Sequence, residues 1–450
     1  MATKSAPSRV AHKIPVALFV AAAALLTQGL ISKAQQDDGP ASLPDPREMT
    51  LVSLGRIGTP KVVELWRDRV AQTPNSPSFR VKLASSMLAL ASETGNLSLY
   101  GQAEGIARSA VQLDPENESA NLTLASALAG QHGFSAALTL ANNVLSRTPN
   151  SVGARIAAAD SHLELGDYDV AAVAYTQLAT ELPGAPSILS RQARIDALTG
   201  HLEGAITLAR KSLIGAGEQD FDTYTMAFYW FQMANYQYQA GRYDSAAATL
   251  RSALKVQPKH IGSIELLGKV LVAQGRYDEA TKLYEDLLKR TDAADLRGEL
   301  AKLYANAGRA ADAQQQIDIG IKLARVAAEK FPAERRHLIT FFSDHDPTTA
   351  VELARQDLQT RADVQSYGWM AWTLLQVGRA DEAVTYVDKA LRLGTQDAWL
   401  LYQAGSVYAA VGDTTNARLL LTQALELNPQ FDLVHAQRAR NLLEDLSSRA

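Results

Sequence analysis

The chain has 450 residues, a formal net charge of −4, no cysteine, and a composition that is 47% apolar, 20% charged and only 7% aromatic. The lack of cysteine removes disulfide frameworks, thiolate metal sites and thiol catalysis, and the slightly acidic balance supplies no positive field to gather phosphates, which argues against nucleic acid as the main ligand. Length alone suggests two to four domains of roughly 100–200 residues, yet the richness in alanine and the scarcity of Val, Ile and Thr runs favour a single helical architecture.

Residues 1–34 stand apart. Lys4, Arg9 and Lys13 precede an apolar run from Ile14 to Leu26, and Ser32-Lys33-Ala34 places small residues where an export peptidase reads. This is the layout of a secretory signal peptide. The 18 residues of 14–31 are also long enough for an uncleaved membrane anchor. Both readings predict export to the periplasm or the exterior, with membrane contact only through this segment if it is retained. Residues 35–58, rich in Pro, Asp and Gly, read as a flexible linker. A capping helix follows within 59–76 (Val62–Ala71), with Pro60 in its first turn.

From residue 77 one phrase recurs: Gly166-Asp-Tyr168-Asp-Val-Ala171, Gly200-His-Leu202-Glu-Gly-Ala205, Gly241-Arg-Tyr243-Asp-Ser-Ala246, Gly275-Arg-Tyr277-Asp-Glu-Ala280, Gly308-Arg-Ala310-Ala-Asp-Ala313, Gly378-Arg-Ala380-Asp-Glu-Ala383 and Gly412-Asp-Thr414-Thr-Asn-Ala417. The glycines are 34, 41, 34, 33, 70 and 34 residues apart, and the unit Asp344-His345-Asp346-Pro347 splits the 70 into 37 and 33. Pro115, Pro149 and Pro183 keep the same beat. Each residue type has a reason. A glycine between helices can take positive φ and close a tight turn, and small residues such as Ala159, Ala234, Gly268 and Gly405, seven before the glycine, let antiparallel helices approach closely. Proline ends the second helix because it has no amide hydrogen to donate.

This 34-residue pattern resembles the tetratricopeptide repeat family. The resemblance implies an all-α fold, a right-handed α-solenoid of about ten tetratricopeptide-type helix pairs over 77–431, closed by N- and C-terminal capping helices, the latter within 432–450. Insertions at 91–100 and 215–226, and a long second helix from Ala310 to Lys330, predict bends near 215–226 and 320–347.

Catalytic signatures are missing: there is no phosphate loop, His-Glu-x-x-His or Gly-x-Ser-x-Gly. Asp344-His345-Asp346 could hold a metal, but its place in the register is a turn in which Asp346 caps the helix from Pro347. The expectation is a protein with no enzymatic activity, no catalytic or metal site and no cofactor.

Repeat families of this kind bind partners in the concave groove lined by the first helix of each pair, so the resemblance implies a protein or peptide segment as ligand. Groove-side positions of the fifth pair carry Phe228, Phe231, Asn235 and Tyr238, and those of the ninth and tenth carry Trp369, Trp372, Trp399 and Tyr402. Two readings stay open for these rings, packing against neighbouring helices or an exposed platform. Burying one large apolar side chain contributes roughly 1.5–3 kcal/mol, so a few anchors would suffice for a micromolar peptide contact. Lys269 and Lys302 share a groove position with Asn235, but Glu265, Asp295 and Glu299 beside them predict charge compensation along a solvated face. The functional expectation is an interaction scaffold of the cell envelope, with weak self-association through its ends allowed. The alternative is a permanently assembled auxiliary subunit of an envelope enzyme, transport or assembly complex.

Overall fold

The computed structural model describes residues 59–219, 221–331 and 334–448. The expected signal peptide, the anchor of 14–31 and the linker therefore lie outside the described residues. Helix α1 (Thr59–Gln72) is followed by ten antiparallel pairs: α2/α3 (Pro77–Thr94, Ser98–Leu113), α4/α5 (Glu118–Ala129, Phe134–Arg147), α6/α7 (Val152–Leu165, Tyr168–Glu181), α8/α9 (Pro186–Leu198, Leu202–Glu218), α10/α11 (Thr223–Gln239, Tyr243–Val256), α12/α13 (Ile261–Ala273, Tyr277–Leu288), α14/α15 (Ala294–Asn306, Ala310–Lys330), α16/α17 (Arg335–His345, Pro347–Thr360), α18/α19 (Val364–Gln376, Ala380–Leu391) and α20/α21 (Ala398–Ala410, Thr414–Leu427). Helix α22 (His435–Ser448) closes the array. The described residues contain no strand, and each helix packs on the next in chain order, so the architecture is an all-α solenoid.

The two layers differ in what they bury. Second helices bury a single stripe, such as Ala280, Tyr284 and Leu287 on α13 or Ala383, Val387 and Ala390 on α19, at the spacing of one helix face. First helices are covered on nearly every side: α4 buries all of Ala120–Ala127 and α20 all of Leu400–Val407. A helix enclosed in this way has neighbours on its inner side as well as within its pair.

The recurring residues do what their chemistry requires. The seven repeat glycines all have positive φ. His132, 34 residues before Gly166, takes the same left-handed conformation, with φ 60°, in the α4–α5 turn. Histidine is among the side chains that tolerate this region. Gly268 serves close approach instead, because a Cβ there would lie 2.3 Å from the ring of the buried Tyr284. Gly268→Ala is expected to cost about 1–3 kcal/mol through overpacking, whereas Gly105→Ala, where a Cβ meets nothing within 4 Å, should be neutral or slightly stabilising. Melting temperatures of the two variants check the contrast.

Successive turns of the superhelix touch. The Leu165 carbonyl in the third pair accepts from the Ala362 amide at 3.3 Å, and Tyr168 Oη accepts from the Val364 amide at 2.9 Å. One pair further on, Thr395 donates to the Leu198 carbonyl at 2.6 Å. At the fifth pair, Tyr238 Oη donates to the Phe431 carbonyl at 3.0 Å. The turn inside each of these pairs therefore meets the link about five pairs onward. Gly166 sits at one such crossing, where a Cβ would lie 2.5 Å from the Ala362 carbonyl oxygen.

Candidate functional site

The contact between turns encloses part of the concave wall. A cavity of about 180 Å³ lies between pairs three to five on one side and pairs eight to ten on the other. Phe228, Phe231 and Asn235 of α10 line it, opposite Gln365 of α18 and Gln396 and Asp397 of the α19–α20 link. Asp222 caps the first turn of α10, accepting from the Tyr224 and Thr225 amides and fixing where the helix begins.

The arginines on the cavity wall are matched in place, while Asp397 accepts from the Leu400 amide. Arg191 donates through Nε and Nη2 to Asp160 at 2.7 and 2.6 Å and through Nη1 to the Ser187 carbonyl at 2.9 Å. Arg336 reaches Asp363 and Ser366 Oγ, each at 2.7 Å, Gln365 Oε1 at 2.8 Å and Asp357 at 3.3 Å. Burial alone would raise the Asp357 carboxyl, but the Arg336 and Arg361 guanidiniums outweigh it and hold that group down at about 2. The cavity is thus polar yet balanced in charge, with two phenylalanines on one wall and amide side chains as its adaptable hydrogen-bonding groups.

The other five candidate residues converge elsewhere, on the link that enters α22. Trp372, only 3% exposed, and Tyr402, 4% exposed, have ring centroids 5.4 Å apart. The half-buried Trp399 lies 5.9 Å from Trp372, 6.1 Å from Trp369 and 5.9 Å from Phe431. His435 stands edge-on to Trp399 at 4.6 Å and to Trp372 at 5.8 Å. Phe231 is also buried, at 5% exposure, while Phe228, Asn235, Tyr238 and Trp369 are half-buried. Of the two readings open for these rings, internal packing describes Phe231, Trp372 and Tyr402.

Lys302 departs from the expected solvated face. It is largely enclosed, donating to Asp432 at 2.9 Å and Glu299 at 3.2 Å, because the α22 link lies across it. Asp344 likewise reaches the His435 ring at 3.5 Å, whereas Asp346 caps α17 as its register implies. Four residues that sequence reasoning did not nominate complete this cluster, namely Tyr243, Phe431, Asp432 and His435. Only Tyr243 carried a signal, as the aromatic of a repeat phrase. Among the described residues no group of three or more His, Cys, Asp or Glu side chains is placed to hold a metal ion, and no helix is long and apolar enough to cross a membrane.

His435 gives this cluster a pH dependence. Burial disfavours its charged form, but the hydrogen bonds to Asp344 and Asp432 outweigh that and raise its pKa. Lys302 beyond Asp432 and Arg438, 3.5 Å from the ring, are the cations facing it, and the Tyr402 ring lies tilted against it at 5.7 Å. A raised folded-state pKa contributes stability that is fully present below about 6.5 and is lost as the pH rises through the folded value. The amides of α22 should therefore exchange faster at alkaline pH, after correction for intrinsic exchange, and His435→Gln should abolish the difference.

Comparison with known families agrees with the geometry. Tetratricopeptide repeat models match residues 122–186 and 156–220, 271–328, and 364–393 with 400–431. The chain carries tetratricopeptide repeats. A model for anaphase-promoting complex, cyclosome, subunit 3 also matches residues 199–287 within the repeat array. Cellulose synthase operon protein C of Escherichia coli strain K12 is 28% identical over 243 residues, 53% of this chain and 19% of that protein. The chloroplastic PsbB mRNA maturation factor Mbb1 of Chlamydomonas reinhardtii is 30% identical over 203 residues, 43% of this chain and 30% of that protein. The chain thus spans about a fifth to a third of the length of these curated relatives. Among solved structures, the APC/C hetero-tetramer Cut9-Hcn1 aligns at 13% identity and a TM-score of 0.31, covering 88% of this chain and 94% of that one. The human IFIT1 dimer with PPP-AAAA aligns at 15% identity and a TM-score of 0.41, covering 75% and 94%.

Proposed function

We propose that this tetratricopeptide repeat protein is a non-enzymatic interaction scaffold of the cell envelope that holds a protein segment inside its superhelix, against the half-buried Phe228 and Asn235, with the packed Phe231 behind them. The observation that carries this reading is the cavity between superhelical turns, whose arginines are already paired and where the half-buried Phe228 and Asn235 are left to meet a ligand. Export rests on the basic and apolar layout of residues 1–34. The relative named for a cellulose synthase operon supports a place among the products of a polymer-synthesis operon.

The second reading, a permanently assembled auxiliary subunit, is favoured by a different observation. Most of the exposed large apolar side chains lie on second helices, with Val170 and Val173 of α7 and Ile214 of α9 each more than half exposed. Affinity capture with the chain from about residue 35 tests both. A partner lost with Phe228→Ala/Asn235→Ala but kept with Val170→Asp/Val173→Asp supports the scaffold. A stoichiometric partner that survives high salt and responds only to the valine changes supports the subunit. Capture of no partner by the folded chain would overturn both.

A further inference from the structure

The link between α21 and α22 is held in the manner of a bound ligand. Asn428 Nδ2 donates to the Tyr238 carbonyl at 2.9 Å, and Asn428 Oδ1 accepts from Tyr243 Oη. Tyr243 Oη in turn accepts from the Gln430 amide at 3.0 Å. Three residues after Asn428, the Phe431 carbonyl accepts from Tyr238 Oη, while its ring rests 5.9 Å from Trp399 and 5.5 Å from Tyr402. Next, Asp432 forms its ion pair with Lys302. The groups that hold the segment come from the fifth, seventh and tenth pairs, and those of the fifth and seventh lie 130 to 193 residues away in the chain. Asn428 is 2% exposed and Phe431 9%. Three side chains of the segment each meet their own chemistry, the Asn428 amide on tyrosines, the Phe431 ring on rings and the Asp432 carboxylate on an ammonium, while Pro429 and Gln430 face outward.

We propose that Tyr238, Tyr243, Lys302, Trp399 and Tyr402 form a recognition surface for a turn-forming protein segment of the pattern Asn-x-x-aromatic-acidic, and that the chain's own residues 428–432, which turn at Pro429 and Gln430, occupy it until a partner with that pattern replaces them. The proposal rests on the scaffold reading and gives its partner a chemistry. A tethered segment competes at an effective concentration on the order of millimolar. A partner therefore displaces it by adding contacts that the link does not make, and the half-buried Phe228 and Asn235 on α10, the helix that also bears Tyr238, are one source of them.

The test uses a fluorescein-labelled peptide, Asn-Pro-Gln-Phe-Asp-Leu-Val-His, with the chain from about residue 35. Phe431→Ala with Asp432→Asn empties the surface of its own ring and charge but leaves every residue of the surface in place, and asparagine still caps α22. Fluorescence anisotropy should show this variant binding the peptide at least tenfold more tightly than the parent, and a peptide with Ala for Phe and Asp should not bind. Should the double variant lose its helical circular dichroism, Asn428→Ala, which frees the anchor alone, takes its place with the same expected direction. A folded variant that binds no better than the parent, or that binds the alanine peptide equally, overturns the proposal. Peptide binding with no captured partner would leave this surface standing while the scaffold reading fails; a captured partner that lacks the pattern would do the reverse.

Discussion

Trp372→Ala is expected to be among the most destabilising single changes in the chain, at about 3–5 kcal/mol. The side chain is 3% exposed and touches Trp399, Tyr402 and His435, so its removal empties the middle of the ring cluster that binds α22 to the ninth and tenth pairs. Stability in a repeat array is a sum of local units and their interfaces, and the loss should therefore be regional. Hydrogen exchange should show α18 to α22 losing protection while α2 to α7 keep theirs. Trp369→Ala, at a half-buried ring with one tryptophan neighbour, should have a clearly smaller effect. Uniform loss along the chain, or equal effects of the two variants, would contradict the ring cluster as the anchor of the C-terminal cap.

Arg336→Met should be of comparable size, about 3–5 kcal/mol, for a different reason. Asp357 and Asp363 are both buried against this guanidinium, and its removal leaves carboxylates in a poorly solvated wall without their main counter-charge. The pH profile gives a second signature. Asp357 is held at about 2, below its ordinary value, so its contribution is present above about 4 and is lost as the pH falls from there toward 2. Denaturation curves of the parent should show stability declining over that interval, and the variant, already lacking the pairing, should show a shallower decline. Adding Asp363→Asn should restore part of the loss, because it removes one of the stranded charges.

The pairing of helices was legible because each repeat states its own turn. Glycine, aromatic and alanine recur at fixed offsets, and the physical demands of a left-handed turn and a close approach admit few other residues. The α4–α5 turn was harder to read, since His132 fills the place of glycine there. Closure of the superhelix was not legible at all. It follows from small rotations summed over five pairs, and no local residue pattern records the sum. For that reason Trp372 and Tyr402, which a groove register places on the inner wall, are covered by residues from the end of the chain. Lys302 stood out in the sequence, but its partner Asp432 is 130 residues distant and could not be assigned from spacing.

Contact between turns five pairs apart also bears on how the chain is made. Pairs three to five have no cover for their inner wall until pairs eight to ten exist, so a growing chain presents that wall to water for the time needed to synthesise half the molecule. An apolar wall would invite aggregation during this interval. Here the early half carries its own ion pairs, Arg191 with Asp160 and Arg194 with Glu164, both formed within the third and fourth pairs. The charged part of that wall is therefore matched before the coil is complete, and the late, long-range meeting of the two halves should be the slow step of folding.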